Sequence, residues 1–395
     1  MVIVHDCYIK AGHGRFNVNI LEYNRANIAD CQYIFQKKLG IIRNNKIVFK
    51  ENMREGKAMG DVYEIRTDLA LETQEKMQEE HIDIRGVRFL EEKKPYGMTV
   101  STVVIDTENA ARSMGKPKGR YITLEAENLS EEDEDYHREI SMELAKIIRG
   151  ILPEKMVKKE NLEDLTEGME VAVLIVGLGN RGVTPDALGP RVVDNMFITR
   201  HVLQEFGKYA FGNVKTGSIS GIVPGVMAQT GMETVEIIRG VVKESKPDFA
   251  IVIDALAARN TKRLGRTIQL SDTGINPGSG VGNHRNAINE KSIGVPVISV
   301  GVPTVVDAAT IVADGMSALI RAMGESAALK NLGDNLDELG DSEKQELARE
   351  VLSPQLHGMF VTPKNIDESV KQLSFTISEA LNIAFLGNKE DDWNI

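Results

Sequence analysis

Short, unbroken apolar runs followed by helical spacing dominate the middle of the chain. Residues 171–177 (VAVLIVG) form a continuous apolar run, as expected of a parallel strand buried on both faces. Residues 249–254 (FAIVID) and 295–301 (VPVISVG) have the same character. Between and after these runs the pattern predicts a Gly/Asn/Pro loop with a helix to about residue 207, and a Gly/Ser loop over 217–225. Helices are expected over 227–244 and 306–323. Upstream, residues 98–106 (MTVSTVVID) and 120–126 (RYITLEA) are rich in β-branched residues and predict strands. The turn Gly115-Lys116-Pro117-Lys118-Gly119 connects them. Residues 130–150 open with Ser130 and acids and close with Lys146, Arg149 and Gly150, which are helix start and stop signals. The tail predicts helices over 342–352 and 367–386, after a polar, Gly-punctuated stretch at 324–341 expected to be a mobile loop. No repeat of solenoid length occurs. Strands alternating with helices imply an α/β fold: a central, mostly parallel or mixed sheet flanked by helices, with a smaller N-terminal part.

Composition narrows the class. A chain of 395 residues with 42% hydrophobic and 27% charged residues suits one large globular domain or two. No uninterrupted run of about eighteen apolar residues occurs, so no membrane span is expected. Asp6 and Lys10 interrupt what would have to be the apolar part of a secretory signal, so a cytoplasmic location is expected. Cys7 and Cys31 are the sole cysteines, which argues against a disulfide framework, a cysteine nucleophile and a zinc cluster. A net charge of −11 argues against direct nucleic-acid binding. Residues 1–52 differ from the rest, with 8 Lys+Arg against 4 Asp+Glu and 6 of the 20 aromatics. They read as an appendage or as a start placed too far upstream, Met53 being the candidate initiator.

Ligands of open α/β sheets bind beyond the carboxyl ends of the strands. Asp186 lies in the loop after the first run, Asp254 closes the second and Asp307 follows the third, so all three are candidates to face one crevice. Residues 177–182 match G-x-G-x-x-G, but Pro185 falls where a dinucleotide-binding helix should continue. No acid closes a second strand about twenty residues on, where a ribose would need it; that region is ITRHVLQEF (198–206). Two carboxyl groups held close cannot both ionise cheaply. Such a pair could activate a water against an amide carbonyl and protonate the leaving nitrogen. Two blander readings stay open: Asp186 as cap of a helix starting near Leu188, and Asp254 as a buried, hydrogen-bonded strand end. His201 lies mid-helix and His284 in a Gly-rich loop, and neither has a recognisable catalytic partner. There is no H-E-x-x-H, and Gly278-Ser279-Gly280-Val281-Gly282 lacks the strand–turn–helix context of a serine nucleophile. No cofactor or metal is implied.

Several segments, in order, resemble the germination proteases of spore-forming bacteria. They are RTDLALE (66–72), GKPKGRYITLE (115–125), VGLGNRGVTPDALGP (176–190), SGIVPGVMAQTGMET (220–234), IDALAARN (253–260), DTGINPGSGVGNHR (272–285), GVPVISVGVPTVVDAATI (294–311) and FVTPKNID (360–367). The resemblance implies an atypical aspartic endopeptidase of phosphorylase/hydrolase-like α/β fold, related to the hydrogenase-maturation endopeptidases. It implies catalytic aspartates at Asp186 and Asp254, and a substrate cleft lined by Gly177, Gly179, Asn180, Gly221, Gly225, Gly278, Gly280 and Gly282. The implied substrates are small acid-soluble spore proteins, cut after an acid and before an apolar residue and Ala, in a Thr-Glu-Phe-Ala-like sequence. It further implies a homotetramer in the forespore or spore core, with no membrane or direct nucleic-acid partner. The family is made as a zymogen, and Thr67-Asp68-Leu69-Ala70 matches the cleaved pattern, so self-cleavage between Asp68 and Leu69 is expected. Residues 1–68 are then extension and propeptide, and 69–395 the mature protease domain with charge −14. Starting at Met53 the prosegment would have 16 residues. The rival reading of RTDLA is the start of the first strand of the fold. The alternatives for function are a metal-dependent maturation endopeptidase and a nucleotide-binding protein without protease activity.

Overall fold

The computed structural model describes residues 5–11, 14–20, 67–79, 84–127, 129, 133–153, 156, 164–207, 210–212, 215–278, 285–325 and 359–387. The chain divides into two units, Met1–Tyr63 and Glu64–Ile395. In the first, β1 (His5–Ala11) and β2 (Gly14–Ile20) form an antiparallel hairpin. The expected helix at 342–352 and residues 326–341 of the expected loop lie outside the described residues.

The second unit is built on one mixed nine-stranded sheet. Its strands are β3 (Val87–Lys93), β4 (Thr99–Ile105), β5 (Gly119–Glu125), β6 (Ala172–Gly177) and β7 (Ser218–Ile222). They continue with β8 (Phe249–Ala258), β9 (Thr267–Ser271), β10 (Val297–Asp307) and β11 (Phe360–Val361). The order is β3-β4-β5-β9-β10-β8-β6-β7, with β11 on β10. β10, β8, β6 and β7 run parallel; every other pairing is antiparallel. The sheet is therefore a parallel half joined to an antiparallel half along β10.

Side-chain alternation splits the sheet into two faces. Val173, Ile175, Ile251, Ile253, Ile268, Leu270, Ile298 and Val300 point to one face. There they pack under the helices Glu134–Ile151, Leu188–Asp194 and Ile366–Leu386. On the other face the helix Thr234–Ser245 covers the parallel half through Val235, Ile238 and Val242. The helices Ala70–Glu79 and Glu108–Met114 cover the antiparallel half through Ala70, Ala110 and Met114. Between those two coverings the second face carries Asp254, Gln269, Ser271 and Ser299.

The elements depart from the sequence pattern where pairing overrides local signals. Residues 217–225, read as a loop, hold the edge strand β7. The helix expected to run to about residue 207 is two helices, Leu188–Asp194 and Arg200–Phe206. The interruption occurs where Thr199 is stitched to β7: Thr199 N donates to Ile219 O at 3.1 Å, and Ile219 N to Thr199 Oγ1 at 2.9 Å. The 227–244 helix is broken by Gly231, at φ +71°, and restarts on a reciprocal Glu233–Glu236 capping box. β8 does not stop at Asp254 but continues to Ala258, paired with β10. β3 and β9 carry no strand signal in the sequence pattern, and with β4 and β5 they form the antiparallel half of a sheet that is mixed, one of the two forms expected. Among the described residues no helix is long and apolar enough to cross a membrane.

Arg149 locks the C-terminal helix to the body. It is 1% exposed. Its guanidinium donates to Ala384 O at 3.0 Å, to Glu167 O at 2.6 Å and to Asp164 O. Arg149→Leu strips charged donors from three carbonyls, so urea unfolding should show a loss of about 3 kcal/mol or more.

Candidate active site

The loop that follows β6 is pressed against the middle of β8, at Ile253, and glycines permit the contact. A Cβ on Gly177 would lie 2.3 Å from Gly189 O, and one on Gly189 would lie 2.6 Å from Ile253 O. Gly179 sits at φ +110°, where its absent Cβ would strike Asp186 O at 1.9 Å. Leu178 N donates to Ile253 O at 2.8 Å, tying the loop to β8. No helix begins inside the G-x-G-x-x-G stretch. Thr184–Asp186 forms a 3-10 turn with Pro185 in it, and the next helix starts at Leu188. Ala187 is the N-cap of that helix, with no side-chain cap bond, so capping is not the work of Asp186. Its Oδ2 instead accepts from Asn180 N at 2.8 Å.

Asp254 projects from β8 and is 7% exposed. Its Oδ1 accepts from the N–H of Ala255 at 3.0 Å. Burial drives its carboxyl well above the ordinary carboxylate range, and the negative charges of Asp186 and then Asp68 drive it further. The Ala255 N–H and the positive charge of Arg285 oppose the rise. Asp186 is also raised by burial, opposed by the Asn180 N–H and by Arg285. The two acids thus lie within reach of one another's charge and of one cation. Arg285 had no signal in the sequence, because its relevance comes from the fold alone. Asp254 is the group that favours its protonated form more strongly.

The other expected site residues have different surroundings. Asn180 serves through its N–H on Asp186, while its side-chain oxygen accepts from Gly182 N at 3.0 Å and Gln229 Nε2 at 3.1 Å. Gly221 faces Val193 and Ile198, whose methyls lie 3.0 and 3.2 Å from where its Cβ would be. Gly225 and Gly278 occupy left-handed positions at φ +73° and +72°. Gly280, Gly282 and His284 lie outside the described residues. Asp307 accepts from Ala309 N at 2.9 Å at the start of the helix Ala308–Glu325. His201 is exposed on the helix Arg200–Phe206. Among the described residues no three His, Cys, Asp or Glu side chains cluster to hold a metal.

The Asp68–Leu69 junction lies against the strand that carries Asp254. Asp68 N donates to Ala257 O at 3.1 Å, and Ala257 N donates to Asp68 Oδ2 at 3.0 Å. Leu69 is fully buried with Leu256, Ala258 and Val306. Beyond it, Ala70–Glu79 is a helix, so the reading of this segment as a first strand does not hold. Glu72 pins the helix start: its carboxylate accepts from Arg259 N at 2.8 Å, from Asn260 N at 2.9 Å and from the Thr67 hydroxyl.

Comparison with known proteins gives a consistent picture. The family model described as Germination protease matches residues 64–336 and 326–394. A germination protease of Caldanaerobacter subterraneus subsp. tengcongensis is 46% identical over 321 residues, covering 81% of this chain and 94% of that protein. Germination proteases of Bacillus cereus and Bacillus subtilis are each 40% identical over 82% of this chain, covering 94% and 93% of their own lengths.

A carboxyl group whose folded pKa is raised binds its proton more tightly folded than unfolded. Stability is then lost as pH climbs from the ordinary value of 3.8 through the raised one. Asp254→Asn removes that penalty. Thermal unfolding should show the variant more stable than wild type at pH 7, and the gap should close toward pH 4.

Proposed function

The chain belongs to the germination protease family, and we propose that it is an aspartic-type endopeptidase that starts the degradation of small acid-soluble spore proteins. We infer a zymogen that cleaves itself between Asp68 and Leu69 and works as a homotetramer in the spore core. The observation that carries the reading is that half-buried Asp186, in the turn after β6, lies within charge reach of Asp254, buried inside β8. Near neutral pH, Asp254 holds the proton and Asp186 is the ionised partner. Asp186 takes a proton from water, the water oxygen adds to the scissile carbonyl carbon, and Asp254 passes its proton to the departing nitrogen.

The junction supports the choice of bond. The Asp68 carboxylate accepts the Ala257 N–H, Leu69 fills an apolar pocket, and Ala70 is fully buried. An acid, an apolar residue and a small residue are what these surroundings accommodate. The same order characterises the Thr-Glu-Phe-Ala-like substrate sequence implied by the resemblance. An acidic surface charge suits a protein that takes a protein substrate rather than nucleic acid.

The test is intact-mass analysis of the full chain incubated with a Thr-Glu-Phe-Ala peptide, with and without EDTA. Wild type should cut itself after Asp68 and the peptide after Glu, in either condition. Asp186→Asn and Asp254→Asn should each slow both cuts by about 10²- to 10⁴-fold. Loss of cutting in EDTA would point instead to the metal-dependent maturation type, and undiminished cutting by either variant would remove the pair. Because Asp186 must be ionised and Asp254 protonated, the rate should fall on both the acid and the alkaline side of its optimum.

A further inference from the structure

The register of the sheet sets one row of residues across its second face. Asp254 of β8 pairs with Gly301 of β10, Gly301 with Gln269 of β9, and Gln269 with Thr123 of β5. Residues paired in register share a face, and neighbouring strands lie roughly 4.8 Å apart. Asp254 and Gln269 therefore stand on either side of a position with no side chain. A Cβ at Gly301 would lie 2.5 Å from the Leu256 side chain. Asp68, Lys116, Leu256, Gln269 and Gly301 line one small cavity of about 80 Å³.

Two side chains from this cavity converge on a single atom. The carbonyl oxygen of Asp68 accepts from Lys116 Nζ at 2.9 Å and from Gln269 Nε2 at 3.1 Å. The same Gln269 side chain accepts from Ala70 N at 2.7 Å through Oε1, so one amide spans both sides of the Asp68–Leu69 bond. Lys116 is held in place from behind. Its N–H donates to Ala111 O at 3.1 Å, and the next residue's carbonyl, Pro117 O, accepts from Tyr121 Oη at 2.8 Å. Burial pushes that phenol up to about 12, which keeps it a donor.

We propose that Lys116 and Gln269 form the oxyanion site for the cut between Asp68 and Leu69, an inference that rests on the self-cleavage proposed above. As the water oxygen bonds to the Asp68 carbonyl carbon, a water proton passes to the ionised carboxylate of the pair. The carbonyl π electrons move onto the Asp68 oxygen, where Lys116 Nζ and Gln269 Nε2 meet the new charge. When the C–N bond breaks, that charge returns to re-form a C=O, and Leu69 N leaves with the proton of Asp254. The products are the Asp68 carboxyl and the Leu69 amine. Both donors already touch the ground-state oxygen, at 2.9 and 3.1 Å, and must stay in reach as that oxygen takes up the charge. Gln269 has a second duty, fixing the register of the bond through Ala70.

The test follows self-cleavage of the full chain by intact mass in Lys116→Met, Lys116→Arg and Gln269→Met, beside wild type and Asp254→Asn. Lys116→Met should cut roughly 10²-fold more slowly with an unchanged unfolding midpoint. Lys116→Arg, which restores the cation, should recover to within about tenfold of wild type. Equal slowing of the Met and Arg variants would reduce Lys116 to a structural anchor and overturn the inference. So would cutting by both Lys116→Met and Gln269→Met at the wild-type rate. If Lys116→Met does not fold, Gln269→Met carries the test alone. Wild type that does not cut removes the self-cleavage reading itself, and Asp254→Asn that cuts like wild type removes the aspartate pair, so those two controls separate failure of the proposed function from failure of the oxyanion site.

Discussion

Withdrawing two carboxyl groups from water within reach of each other's charge is the constraint around which this molecule is arranged. Left to themselves, buried acids shed their charge or unfold the chain around them. Here the groups that limit the cost are specific: the Asn180 N–H on Asp186, the Ala255 N–H on Asp254, and Arg285 acting on both. None of them cancels the penalty, since both carboxyls remain raised. Carboxyl groups held at such a cost in free energy draw on the stability of the scaffold.

That scaffold divides its duties between the two faces of the sheet. One face is apolar across both halves and roofed by the helices Glu134–Ile151, Leu188–Asp194 and Ile366–Leu386. The other is roofed separately over the parallel and the antiparallel strands. The polar strip between the roofs is where Asp254 emerges, and it coincides with the change from parallel to antiparallel pairing along β10.

Much of this was legible from residue order. The apolar runs at 171–177, 249–254 and 295–301 announced the central strands because strands buried on both faces need no alternation. Asp254 closes the second of those runs and Asp186 lies in the loop that follows the first, which made both stand out. The antiparallel half was less visible. β9 has only Ile268 and Leu270 as apolar residues, and β7 mixes serines with Gly221, which must admit Val193 and Ile198. Lys116 sat in plain view in a turn, yet nothing in the turn says that it reaches Asp68. Gln269 and Arg285 acquire meaning only from register and folding, which no linear pattern records.

The junction also has a position in time. Asp68 is bonded to Ala257 and Gln269, which follow it by 189 and 201 residues. A ribosome adding about 5–20 residues per second needs roughly 10–40 s to supply them. Throughout that interval the nascent chain has neither the strand nor the amide that holds this bond in place. β5 likewise waits for β9 before the antiparallel half can join the rest. A bond held in this way is out of reach of premature chemistry until those later residues have been made, because they are the ones that present it.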